Sequence, residues 1–433
     1  MLAPFAGLLV AFPLAQRRSH LVREATLTSA DIGSHLRNHS IVHIGGQHRG
    51  GTTLLASAFS THPLIATHGL YDAAATSSPE HLHGEGLFLQ SVYPRMSLDH
   101  PPLFFIKKRA LAAGCALLQL LGAGASWREG HCRLLEGVSS YALSSQAREM
   151  TRRAHPLAAR EPALRLFGQW AEWWNLSRPV LLEKSPSNAV AAAVLSGMWA
   201  AAGSRDARFI FITRHPLMQS LAMRPFVDDL GLSDLVQHWL AVEEAIRQGA
   251  RAGLRQHPVA MLSLEGFARN PRWTMHALLV WLKLEFTCNF GRFGCAAVEG
   301  GLPRVLDIDD SAMGLEHPGP SGPFDCGVEL DEYFEDLYLS ANLPDFTTWS
   351  DLPQADAWLR TVERYPNSKY AKQYADEIAG SVYARERHEA LVAEYGQRVY
   401  EVSGYRLGND FHGQSFNEPP DRGTVWWREW CGV

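Results

Sequence analysis

A strand that dissolves into glycines and restarts as a helix is the feature that most narrows this chain. "IVHIGGQHRGGTTLLASAF", residues 41–59, runs from a β-branched apolar stretch through Gly45, Gly46, Gly50 and Gly51 into an alanine- and leucine-rich segment. That order brings backbone N–H groups and the positive end of a helix dipole to one point, which suits an anion. The glycines let the main chain approach that anion closely. Gly46 and Gly51 have the spacing of a Walker loop, G-x-x-x-x-G, after which lysine and a hydroxyl residue should follow. Here Thr52 stands in the lysine position, Thr53 in the hydroxyl position, and the cation is Arg49, inside the loop. No strand ending in Asp is visible that would hold magnesium as in ATPases. The loop reads as a phosphate site, but not one for the β/γ-phosphates of Mg·ATP.

Downstream, the same alternation repeats. "PVLLEK", "ARFIFIT" and "HPVAMLS" are buried-strand runs. "LMQSLAM", "DLVQHWLAVEEAIRQGA" and "PRWTMHALLVWLKL" between and after them have helical spacing. Strands alternating with helices predict an α/β fold: a P-loop-type parallel sheet with helices on both faces. The organisation predicted is one main domain, residues 40–290. Residues 1–39 are read as a polar lead-in, starting with a signal- or anchor-like apolar run. An acidic, loop-rich insertion follows at 291–380, then a closing helix at 381–407 and a tail at 408–433. Between Asp307 and Asp356 there are thirteen Asp or Glu and no Lys or Arg, read as a solvated insertion.

Two strand ends carry further chemistry. "FIFITRHP" places Arg214 at the carboxyl end of a strand, where parallel sheets bind ligands and where a guanidinium fork can hold a second phosphate. A surface ion pair is the plain alternative. "LLEKSPSN" ends a strand in Glu183 and Lys184. A lysine there can stabilise developing negative charge, or simply reach to water.

Taken in order and spacing, these segments resemble the PAPS-dependent sulfotransferases (PAPS is 3′-phosphoadenosine 5′-phosphosulfate). "HRGGTTLLASAFSTHP" is similar to the family's 5′-phosphosulfate loop, R-S-G-T-T-L-L…HP. "FIFITRHPL" is similar to its 3′-phosphate strand. "HGEGLFLQSVYP" and "LLEKSPSN" resemble segments of bacterial and algal members, and "SGY" at 403–405 resembles the usual end of the domain. The resemblance spans about residues 40–290 and 385–407. It implies that Gly46, Gln47, His48, Arg49, Gly50, Gly51, Thr52 and Thr53 cradle the 5′-phosphosulfate. It implies that Arg214 binds the 3′-phosphate, and that Lys184 and Arg49 stabilise the charge that builds on the leaving oxygen. PAPS would be the co-substrate, with no metal expected. The acceptor would be a hydroxyl, or an amine, on a carbohydrate or small molecule.

Departures from the family pattern limit parts of this. A serine eight positions after the arginine is replaced by Ala222, which leaves Ser220 on a different helix face as the substitute 3′-phosphate ligand. The basic residue three after the arginine is Leu217. The glutamates of tyrosylprotein sulfotransferases have no match in "LIATHGLYD", which argues against a tyrosine acceptor. For the base that takes the acceptor's proton, Glu85 is the first choice and His68 the second. Glu85 as a helix-start carboxylate weighs about equally. His81 and His83 form an H-x-H pair, read as surface histidines. Of Trp170, Trp173, Trp174 and Trp239, about one is expected to face a ligand and the rest the core.

Composition excludes some classes. A net charge of −5 argues against nucleic-acid binding. A hydrophobic content of 46% with 20% charged residues is that of a globular chain. The six cysteines form no C-x-x-C pair. Sequons at Asn38 and Asn175 tip the expected compartment towards the secretory route and Golgi lumen, with the cytoplasm as the alternative. Membrane association stays open, since the apolar run after Met1 is short and interrupted by Pro4 and Pro13. Two other readings remain at this level: a P-loop kinase or NTPase, and a non-catalytic nucleotide- or glycan-binding relative.

Overall fold

The structure is a computed structural model. It describes Val22 and residues 26–68, 84–96, 141–152, 155–224, 230–252, 257–269, 271–284 and 368–407. The apolar run after Met1, the H-x-H pair, the acidic stretch 307–356 and the tail after 407 lie outside these.

In chain order the elements are α1 (Ser29–Asn38), β1 (Ser40–Gly46), α2 (Thr52–Ser60), β2 (Ile65–Ala66), α3 (Ser145–Met150), α4 (Arg160–Ala171) and β3 (Val180–Lys184). Then follow α5 (Asn188–Ala202), β4 (Asp206–Thr213), α6 (Pro216–Met223), α7 (Leu232–Ala252), β5 (Val259–Ser263), α8 (Leu264–Arg269), α9 (Pro271–Trp281), α10 (Ser368–Gly380) and α11 (Val382–Ser403). The five described strands form one all-parallel sheet in the order β2-β3-β1-β4-β5. This is the α/β arrangement that the alternating pattern predicts.

Successive residues of a strand point to opposite faces, and both faces here are buried. Ile41, Leu181, Phe209 and Phe211 pack into one apolar cluster with α1, α4, α5 and α7. Val42, Ile44, Leu182, Ile210 and Ile212 pack into the other, against α2, α8 and α9. Cover on both faces is why the strands read as unbroken apolar runs rather than alternating ones.

The lead-in is not featureless. Residues 29–38 are α1, opened by a capping box in which Thr28 Oγ1 accepts from the Asp31 amide (3.2 Å) and Asp31 accepts from the Thr28 amide (3.1 Å). Ile32 and Leu36, one turn apart, seat it in the core. Two core residues in ten gave too weak a stripe to stand out from a polar sequence. The two-residue β2 follows Pro63, where the sequence showed only a helix stop, and pairs with Val180 and Leu181. Helix α10 occupies residues 368–380, in the stretch expected to be insertion. Among the described residues, no helix is long and apolar enough to cross a membrane.

Candidate functional site at the carboxyl ends of the strands

The order β2-β3-β1-β4-β5 has its reversal at β1. The chain fills the sheet on one side of β1 as far as β3, then crosses over to β4 on the other side. Such a switch point opens a crevice beyond the strand ends. Three segments meet there: the glycine loop after β1, Lys184 at the end of β3 and Arg214 just past the end of β4.

The loop needs its glycines. Gly46 has φ 141°, and a Cβ there would lie 2.1 Å from the Ile212 oxygen, backbone against backbone. A Cβ on Gly50 would lie 2.9 Å from the Gln47 oxygen, to which the Gly50 amide donates at 3.0 Å. Gly51, at φ 105°, is the N-cap of α2 and leaves that helix start without a side-chain cap. Four consecutive carbonyls are tied into the fold. Gly46 O accepts from the Tyr141 hydroxyl (2.8 Å) and Gln47 O from the Gly50 amide. His48 O accepts from Gln219 Nε2 (2.8 Å) and Arg49 O from Arg214 Nη1 (3.0 Å). In a trans peptide the N–H opposes the C=O. Securing these oxygens therefore turns the amides of Gln47 and Arg49 the other way. The result is a rigid turn of backbone donors ahead of a helix N-terminus, the geometry that holds a phosphate.

Cations flank this turn. Ile44 of β1 is in register with Lys184 of β3. The Lys184 ammonium is 2.6 Å from Glu85 Oε1, with the two side chains 2% and 11% exposed. Glu85 precedes a single 3₁₀ turn, Gly86–Phe88, but makes no cap to it; its carboxylate goes to Lys184 instead. Arg49 has φ 62° and is exposed at the loop's tip. Burial, then the charges of Lys184 and Arg49, hold the His48 imidazole down to about 3, so it is neutral at pH 7.

Arg214 is buried. Its carbonyl accepts from Trp239 Nε1 (2.9 Å), and its guanidinium lies 5.6 Å from the Tyr370 ring centroid of α10. The next peptide is anchored too, with the His215 amide donating to Glu265 Oε1 at 3.0 Å. Tyr405, in the "SGY" at the end of α11, donates to the other Glu265 oxygen at 2.6 Å. Burial raises the Glu265 carboxyl above its ordinary value. Ser220, on α6, is fully buried, and its Oγ has no hydrogen-bond partner among the described residues. Ala222 is also buried.

The remaining sequence candidates fall elsewhere. Thr52 is buried at the start of α2, and Thr53 is exposed. His68 lies on the sheet face that carries Glu183, stacked on Trp174 at 4.9 Å, and burial draws it down to about 4. Three of the four tryptophans face the core, as expected for most of them. Trp170, Trp174 and Trp239 are buried, and their indole N–H groups are spent on the carbonyls of Gly86, Leu182 and Arg214. Trp173 is partly buried against the same cluster. Sequence reasoning missed Tyr141 and Gln219, which hold loop carbonyls. Gln219 had a signal, as a polar residue in the apolar "LMQSLAM"; Tyr141 had none.

Among the described residues, no group of three or more His, Cys, Asp or Glu could hold a metal ion. No family model and no curated protein matches the chain. Solved structures do. The sulfotransferase domain from the Synechococcus PCC 7002 olefin synthase is 16% identical, covering 74% of this chain and 95% of that one, with a TM-score of 0.27. The sulfotransferase domain from the curacin biosynthetic pathway is 15% identical, covering 76% and 99%, with a TM-score of 0.29. At these scores no residue role transfers, and the chemistry is read from this chain's own site.

Proposed function

We propose that this chain is a sulfotransferase that moves a sulfuryl group from PAPS to a hydroxyl or amine on a carbohydrate or small molecule. One observation carries the reading. The anion-binding turn stands between a lysine at the end of the neighbouring strand on one side and an arginine just past the end of the neighbouring strand on the other. A nucleotide with phosphates at both 5′ and 3′ positions fits that spread of charge. The Ser220 hydroxyl, on the helix that follows Arg214, is the candidate second ligand.

When bound, the co-substrate supplies the sulfuryl group and a phosphate leaving group. The backbone of Gly46–Thr53 holds the 5′-phosphate, with Thr52 and Thr53 as added donors. Arg214 and Ser220 hold the 3′-phosphate. Lys184 and Arg49 stabilise negative charge as it grows on the leaving oxygen, and fixed cations of this kind supply most of the acceleration in such transfers. Glu85 takes the acceptor's proton, with His68 as the second candidate. The Glu85 carboxylate lies 2.6 Å from the Lys184 ammonium, beside the reacting groups that a proton acceptor must reach.

A kinase or other NTPase is disfavoured because Thr52 replaces the phosphate-binding lysine, and because none of the described strands ends in an Asp that would hold magnesium. The test is calorimetric binding of 3′-phosphoadenosine 5′-phosphate without magnesium, set against ATP with magnesium. Micromolar affinity for the bisphosphate supports the proposal. Preference for Mg·ATP would replace it with the kinase reading.

A further inference from the structure

Glu183, the residue before Lys184, is fully buried and has no part in the proposed transfer. Alternation along β3 sends its side chain to the opposite face from Lys184. There its carboxylate gathers four donors. Oε1 accepts from the Gly86 amide (3.0 Å) and the Ser185 hydroxyl (2.5 Å). Oε2 accepts from Asn188 Nδ2 and His43 Nδ1 (3.3 Å). The proton order is fixed from outside. Trp199 Nε1 lies 2.7 Å from His43 Nε2. An indole N–H only donates, so Nε2 must accept and the His43 proton sits on Nδ1, facing Glu183. Burial pushes the Glu183 carboxyl up, yet the bonds from His43 and Ser185 hold it below its ordinary value.

These bonds grip the segment that carries Glu85. The Gly86 amide goes to Glu183 directly. The Leu87 amide donates to Ser185 Oγ (2.9 Å), whose own proton goes to Glu183. Gly86 O accepts from Trp170 Nε1 (3.0 Å). The contact is so close that a Cβ on Gly86 would lie 2.5 Å from Glu183 Cγ. Glu85 leaves this clamp with only its carboxylate extended, onto Lys184.

We propose that Glu183 is the positioning residue of this site. By holding the Gly86 amide and the Ser185 hydroxyl it fixes the Glu85 carboxylate on the Lys184 ammonium, and the Trp199–His43 pair fixes Glu183. The clamp stands on geometry alone; its consequence for catalysis rests on the sulfotransferase reading. Glu183→Gln keeps the shape but presents an amide NH₂ to donors, either Asn188 and His43 or Gly86 and Ser185.

The experiment is limited acylation of lysines in the full chain at one pH, read by peptide mass spectrometry. Exposed Lys372 serves as internal reference. In Glu183→Gln, Lys184 should label about tenfold faster than in the wild type, the worth of one buried charge-assisted hydrogen bond. Ser185→Ala should fall between. If Glu183→Gln does not fold by circular dichroism, Ser185→Ala decides. Unchanged Lys184 labelling in the folded variants overturns the proposal. In parallel, release of labelled sulfate from PAPS should fall about tenfold in Glu183→Gln while bisphosphate affinity stays within about twofold, the split expected of a residue acting on the reacting groups rather than on binding. A wild type that binds no bisphosphate would sink the sulfotransferase reading, and the labelling would still decide the clamp.

Discussion

Arg214 Nη1 donates to the backbone oxygen of Arg49 at 3.0 Å. The arginine at the end of β4 thus braces the loop at the end of β1, and any phosphate bound by the rest of its fork is coupled to the loop's shape. Arg214→Ala should lose both functions. A charge-assisted hydrogen bond is worth about 1.5–3 kcal/mol, which is roughly 10–150-fold in Kd for the bisphosphate. Arg214→Lys restores the charge but not the fork, so calorimetry should show only partial recovery. Wild-type affinity in Arg214→Ala would remove this residue from the site.

Two glycines with positive φ should respond differently to alanine. Gly46→Ala drives a Cβ into the Ile212 backbone oxygen, so strand or loop must move. A loss of more than about 2 kcal/mol in denaturant unfolding, together with loss of bisphosphate binding, is expected. Gly203, at φ 73°, ends α5 with nothing within 4 Å of its Cβ position. Gly203→Ala should cost about 1 kcal/mol for the left-handed cap alone and leave binding intact.

Lys184 and Glu85 form a nearly dry ion pair. Removing one partner strands a charge, and Lys184→Met should cost about 3–5 kcal/mol. The double variant Lys184→Met, Glu85→Gln should be clearly more stable than the sum of the single losses predicts. Additivity in the double-mutant cycle would mean the pair is not coupled. Turnover of PAPS should be lost in all three variants.

His238 is fully buried in the wall behind the loop, edge-on to Tyr141 at 5.0 Å, and neither ring nitrogen has a hydrogen-bond partner among the described residues. Burial, with the neighbouring His48, draws its pKa down to about 3. A histidine depressed in the folded state contributes full stability above its unfolded value near 6.5. That contribution is lost as pH falls from about 6.5 towards 3, at up to about 1.36 kcal/mol per pH unit. His238→Phe should remove one proton's share of that slope in urea titrations between pH 6.5 and 4. At pH 7.5 it should be neutral or stabilising, because unpaired buried nitrogens are replaced by carbon. An unchanged acid slope would count against a buried neutral imidazole.

Burial tunes Glu243 in the other direction. It lies under the loop, accepting from the Thr213 hydroxyl at 2.6 Å, and burial raises it to about 6. A carboxyl raised in the folded state adds stability that is complete below its unfolded value and lost as pH rises through about 6. The stability lost in Glu243→Gln relative to the wild type should therefore be larger at pH 5 than at pH 7.5.

Local features of the fold are set by neighbouring residues. The glycine loop, the strands around it and the helices that follow were legible because backbone conformation and apolar periodicity are written in neighbouring residues. Lys184 and Arg214 were legible as strand-end cations for the same reason. Helix α1 was less so, since its two core residues are outnumbered by polar ones. What lies between elements was decided by the tertiary structure. That Glu85 meets Lys184 across 99 positions, that Arg214 holds the Arg49 carbonyl across 165, and that Glu183 organises both ends of the clamp depend on the strand order. Tryptophans at helical spacing could serve core or ligand until their indole N–H partners were fixed. The physical reason is common to all of these: a buried polar group must find its partner wherever the packed sheet places one, and the spacing along the chain does not encode that place.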